Sequence, residues 1–168
     1  MSTATRTALH ATKNDIPERN RVDLIEALAP RLADAVDLKL QMKQAHWNVK
    51  GPSFIALHEL FDKVAAAADE YVDLIAERIV QLGGNADGSA SAVVSTSSLS
   101  PYPDSIAAGA DHVQAAATAL AAFGKSARAA IDRADELGDA DTADIFTEIS
   151  RGADKWLWFV EAHGQAAK

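Results

Sequence analysis

Apolar residues recur at steps of three and four through four long stretches of the chain, and no stretch sustains the alternation of a strand. The pattern predicts an all-α fold. The first helix is expected from Asp15 to about Asn48, with Asp15 as N-cap and Pro17 in the first turn. Val22, Ile25, Ala29, Leu32, Val36 and Leu40 form its stripe. Leu28, Ala35, Leu38 and Met42 widen it, so neighbours are expected on two sides. Pro30 removes a backbone donor and predicts a kink or a break into two helices. Gly51-Pro52 ends the helix. Ser53 reads as the cap of a second helix running to Leu82, with Phe54, Leu57, Phe61, Val64, Ala68, Tyr71, Ile75 and Ile79 on its core face. A third helix is expected from Asp104 to near Gly138, its inner face made of Ile106, Ala110, Val113, Ala117, Leu120, Gly124, Ala127 and Ile131. The fourth starts at Asp139 or Asp141 and carries Ile145, Ile149, Ala153, Trp156 and Val160 to about His163.

Residues 83–103 form a long polar connection between the second and third helices. The second helix is about 43 Å long at 1.5 Å per residue. A connection of that length can run back along the whole bundle. Four helices with one long crossover predict a ferritin-like four-helix bundle over residues 15–168, preceded by a flexible tail over residues 1–14.

Composition narrows the chemistry. The chain has 168 residues, a net charge of −8 and no cysteine. Thiolate metal sites, disulfides and cysteine nucleophiles are excluded, so a metal site must use His and carboxylate ligands. The acidic balance suits the attraction of cations and excludes a surface wholly devoted to nucleic acid. No stretch reaches the length of an apolar membrane span, and the N-terminal residues lack the apolar core of a secretory signal. A cytoplasmic location without membrane contact is expected.

The chemistry gathers in residues 46–77. His58 and Asp62 are four apart on the second helix, as are Asp73 and Glu77, the spacing that brings two side chains to one ion. On the helical wheel His58, Asp62, Asp69, Asp73 and Glu77 form a polar stripe beside the core stripe, and His46 in HWNVKG lies one turn before the preceding loop. A solvated acidic face would not call for the two histidines. Asp62 and Asp73 lie eleven residues apart, about 16 Å along a helix, too far to share an ion. An antiparallel copy of the same helix would bring Asp73 and Glu77 opposite His58 and Asp62. Its two-fold axis would pass near residues 67–68, where Ala65, Ala66, Ala67 and Ala68 allow a close crossing. Two imidazoles and three carboxylates suit iron, manganese or zinc. The intrachain di-iron motif Glu-x-x-His is absent from the chain.

The segments DLKLQMKQAHWNVKGPSFIALHELFD and DEYVDLIAERIVQLGG closely resemble the Dps family of mini-ferritins (DNA-binding proteins from starved cells). DTADIFTEISRGADKWLWFVEAH resembles that family's fourth helix. The resemblance covers roughly residues 15–163. It implies a hollow dodecamer that oxidises ferrous iron, preferably with hydrogen peroxide, and stores the ferric mineral, protecting DNA. Its ferroxidase ligands would be His46, His58 and Asp62 of one chain with Asp73 and Glu77 of a partner. Trp47 matches a tryptophan beside the family's iron site that takes up oxidising equivalents; packing alone is the other reading. Asp141 and Asp144 match positions near acidic pores, and a role as helix N-terminal capping residues stands beside that one. His10, His112 and His163 are read as structural or surface residues, and Trp156, Trp158 and Phe159 as packing.

Many members of that family bind DNA through a lysine-rich tail. Residues 1–21 here hold Arg6, Lys13, Arg19 and Arg21 against Asp15 and Glu18. That permits a modest multivalent contact with DNA and a nucleoid-associated location. The alternative reading is a DNA-compacting nucleoid protein with little ferroxidase activity.

Overall fold

The computed structural model describes residues 9–165. Five helices follow one another: α1 (Glu18–Asn48), α2 (Phe54–Gln81), α3 (Ala90–Thr96), α4 (Gly109–Glu136) and α5 (Ala140–Glu161). No strand is present among the described residues, so the all-α ferritin-like expectation holds. α1 and α2 form one antiparallel hairpin. Lys39 pairs with Asp69, Lys43 with Asp62, and His46 packs on His58. α4 and α5 form the second, with α1 against α4 and α2 against α5.

The crossover runs the length of the bundle. At its start, Arg21 Nη1 donates to the Leu82 carbonyl at 2.9 Å, so α2 ends beside the beginning of α1. At its finish, Lys50 N donates to the Ala107 carbonyl at 2.9 Å, beside the end of α1. On the way it forms α3, a short helix absent from the sequence expectation and capped by the Ser89 hydroxyl. Fully buried Asp34 of α1 fastens the strap. It accepts from Ser98 N at 2.7 Å, from the Ser98 hydroxyl, and from the Ser126 hydroxyl of α4.

Several expectations need correction. α1 is unbroken through Pro30; the donor it lacks would have served Glu26, an exposed residue whose carbonyl can meet solvent. Its N-cap is Pro17 rather than Asp15. Its core face is Leu24, Leu28, Leu32, Ala35, Leu38, Met42 and Ala45. Much of the expected principal stripe turns outward: Val22, Ile25 and Val36 are half-buried, and Ala29 and Leu40 are exposed. Ser53 occupies the N-cap of α2 without a side-chain hydrogen bond. The third long helix starts at Gly109, because Pro101 and Pro103 favour extended backbone and Ala108 pairs with Lys50 in an isolated bridge. A side chain at Gly109 would meet Leu57 at 2.8 Å. Phe123 and Phe146, outside the expected stripes, are among the largest fully buried side chains of α4 and α5.

Residues 1–8 of the expected tail lie outside the described residues. Residues 9–14 are non-helical, and His10 N donates to the Gly83 carbonyl at 2.8 Å. Gly83 has φ +92°, and a Cβ there would sit 2.8 Å from the His10 carbonyl oxygen. Glycine alone meets both demands.

Candidate metal centre

His46 sits in the last turn of α1 and His58 in the first turns of α2, joined by the tight Val49–Ser53 connection. The helices run antiparallel, so the two rings stack at 3.7 Å between centroids and 22° between planes. Each Nδ1 lies 2.8 Å from the other residue's backbone carbonyl oxygen, His46 to His58 and His58 to His46. A carbonyl can only accept, so both Nδ1 atoms carry the proton. In the neutral rings each Nε2 keeps its lone pair, the arrangement a metal-ligating imidazole requires.

Asp62 lies one turn after His58 and is exposed. Lys43, one turn before His46, reaches across to it with Nζ 2.6 Å from Oδ1. That hydrogen bond holds the Asp62 carboxyl below the usual carboxylate range; slight burial opposes it, and the charges of Lys43, His46 and His58 add to the lowering. The same ammonium lies 5.7 Å from the centre of the Trp47 ring, which is 66% exposed beside the site. The Phe54 ring flanks His58 at 5.1 Å. Lys43 was not singled out from sequence, although its place three residues before His46 puts it on the same helix face.

Asp73 and Glu77 are exposed further along the outer side of α2. Among the described residues no three His, Asp or Glu side chains converge on a common point. One chain therefore stacks His46 on His58, with Asp62 one turn further along α2, and carries Asp73 with Glu77 at a separate place on the same helix. The alanine run between them divides. Ala65 and Ala68 face the chain's own core, while Ala66 is exposed and Ala67 half-buried. Two of the four expected small side chains thus remain for a crossing.

At the other end of α2, Arg78 and Asp139 form a buried ion pair at 2.7 Å. Arg78 Nε also donates to the Thr142 hydroxyl at 2.9 Å. Asp139, not Asp141, caps α5 by accepting from Thr142 N. Burial alone would raise the Asp139 carboxyl, but the hydrogen bonds from Arg78 and Thr142 outweigh it and the net direction is down. Asp141 and Asp144 are exposed on the first turns of α5, with an Asp141 oxygen 3.9 Å from Arg78. His112 is buried rather than superficial. Its Nδ1 lies 2.6 Å from the Tyr102 hydroxyl, and its Nε2 has no hydrogen-bond partner among the described residues.

The helical order and the crossover are those of a ferritin-like protein. A family model for the ferritin-like domain matches residues 25–168. The "DNA protection during starvation protein" of Agrobacterium fabrum is 51% identical over 156 residues, 93% of this chain and 96% of that one. DpsC from Streptomyces coelicolor superposes with a TM-score of 0.91 at 27% identity, covering 99% of this chain and 98% of the other. Dps from Microbacterium arborescens, solved in a high iron form, gives 0.81 at 38% identity over 93% and 98%. The chain belongs to the Dps family.

Proposed function

We propose that this protein is a ferroxidase and iron store whose centres form between two copies of the chain. His46, His58 and Asp62 of one copy would face Asp73 and Glu77 of the other. The observation that carries the reading is the pair of reciprocal Nδ1–carbonyl hydrogen bonds. They present two Nε2 lone pairs in fixed orientation beside an ionised carboxylate. Nitrogen and oxygen donors in that ratio suit iron.

Ferrous iron is the substrate. Lys43 pairs with the Asp62 carboxylate until the ion arrives, and the incoming cation takes its place. Two ferrous ions give up one electron each. Hydrogen peroxide accepts both with two protons and leaves as two waters, so no hydroxyl radical is released. The carboxylates favour the ferric product by neutralising its added charge. Exposed Trp47 stands where a stray oxidising equivalent would meet it first. Asp141 and Asp144, on an acidic chain of net charge −8, would draw cations toward a dodecameric shell in which the ferric product accumulates. The cytoplasm is the proposed location.

DNA would be protected through this chemistry rather than by contact. Arg21, counted among the basic residues of the N-terminal segment, is buried and donates to the carbonyls of Ile16 and Leu82. It is unavailable to a phosphate.

Anaerobic loading with ferrous iron followed by peroxide tests the centre. His58→Ala and Asp73→Ala should each slow oxidation at least tenfold, although the two residues lie on separate half-sites of one chain. Wild-type rates in both variants would remove the assignment.

A further inference from the structure

Seven large apolar side chains are exposed among the described residues, and five belong to α1 and α2: Leu40, Trp47, Phe54, Ile55 and Val80. Apolar surface gathered on one helical hairpin marks an interaction face. Two of these side chains stand near opposite ends of α2's outer stripe, Ile55 at 61% exposure and Val80 at 58%. Beside Val80 lies a shallow groove of about 390 Å³ lined by Ala76, Glu77, Val80, Gln81 and Ala86. Its apolar walls are two methyl groups and a valine, which leave room for a branched aliphatic side chain. None of the described residues fills it, and Ile55 is more than 30 Å away on the same helix (about 1.5 Å per residue).

The two-fold pairing of the metal centre fixes a register. Position 58 faces 77 and 62 faces 73, so the axis crosses α2 between 67 and 68. Three positions beyond His58, residue 55 faces residue 80. At 100° per residue, both lie within about 20° of one another around the helix, on the side that carries the ligands. The register derived from the ligands therefore delivers an exposed isoleucine to an empty aliphatic groove.

We propose that Ile55 of a second copy of this chain seats in the groove formed by Ala76, Val80 and Ala86, forming an apolar clasp beside Glu77. The two-fold repeats the contact, so each dimer carries two clasps, one flanking each centre. The clasp excludes water from the Glu77 side of the centre and holds that carboxylate against the partner's histidines. The inference rests on the two-fold reading of the centre; the groove and the exposure of Ile55 do not.

The chain has no cysteine, so introduced thiols are unique. Four variants of the full-length protein settle the point under a short bismaleimide cross-linker: Ile55→Cys/Val80→Cys, each of those single variants, and Ala66→Cys. All three positions are exposed, so the core is untouched. The double variant should run as a covalent dimer on a denaturing gel. Each single variant should stay monomeric, because its two thiols lie about 37 Å apart across the axis. A monomeric double variant, or single variants that cross-link as well as the double, overturns the clasp. Ala66→Cys reports the axis alone. If it dimerises while the double variant does not, the two-fold centre stands and the clasp falls.

Discussion

Lys43 shares a helix face with His46 and holds the carboxylate that an incoming ion needs. Its removal separates two effects. Lys43→Ala should return the Asp62 carboxyl toward the ordinary carboxylate value, measurable by carbon-detected NMR titration of the side chain. Ferrous binding at neutral pH should tighten, since no ammonium has to be displaced. His112 offers a second test at this scale. Burial lowers its pKa below the ordinary histidine value, so the folded protein binds that proton less readily than the unfolded chain. The sign follows from linkage: its contribution to stability is complete above about pH 6.5 and declines as pH falls toward the folded-state value. His112→Phe should flatten the denaturant midpoint against pH in that window, even if it shifts the midpoint at neutral pH. The pairs His58/Asp62 and Asp73/Glu77 stand out in the sequence because i,i+4 spacing is a property of one helix. Lys43 and the depth of His112 do not, since both depend on how α1 and α4 register against their neighbours.

Among the elements, α2 was the most legible. Leu57, Phe61, Val64, Ala68, Tyr71, Ile75, Ile79 and Leu82 are buried as their period indicates, while Phe54, expected on the same face, is exposed at the helix start. α1 misled because it carries two apolar stripes, and periodicity does not say which one meets the chain's own core. α4 misled for a different reason: a face built from alanine and glycine has little contrast in size, and Asp104 is a stronger helix-start signal than Ala108. Neither Arg78 nor Asp139 announces in sequence that it is buried, yet together they tie α2 to the turn before α5. Asp139→Ala strands a buried guanidinium and removes a helix cap. It should cost about 3–5 kcal/mol at neutral pH, read by denaturant unfolding. Because the folded-state carboxyl is held low, the stability it supplies is present above about pH 4 and is lost as pH falls further. The variant should therefore show a shallower acid transition than the wild type.

For the whole molecule, net charge and the fate of Arg21 bear on the same question. Copies of an acidic chain repel a polyanion, and the N-terminal segment keeps only Arg6, Lys13 and Arg19 against Asp15 and Glu18 once Arg21 is discounted. No retardation of plasmid is expected in a gel at about 50 mM salt, where phosphate contacts are strongest. A shift at that salt would return direct DNA contact to the account. The crossover, held to α1 and α4 through Asp34, leaves the outer side of the α1–α2 hairpin uncovered. That face carries both proposed half-sites and most of the exposed large apolar side chains among the described residues.

The reciprocal bonds between His46 and His58 have a practical consequence for dissecting the centre. Each ring is hydrogen-bonded to the main chain of the other residue and stacked on its imidazole. Truncating one side chain leaves the main-chain anchor of the surviving ring in place. His46→Ala and His58→Ala are thus clean single-donor deletions, and departure from additivity in the double variant measures the stacking and shared ion alone. Few ligand pairs in direct contact can be taken apart so separately.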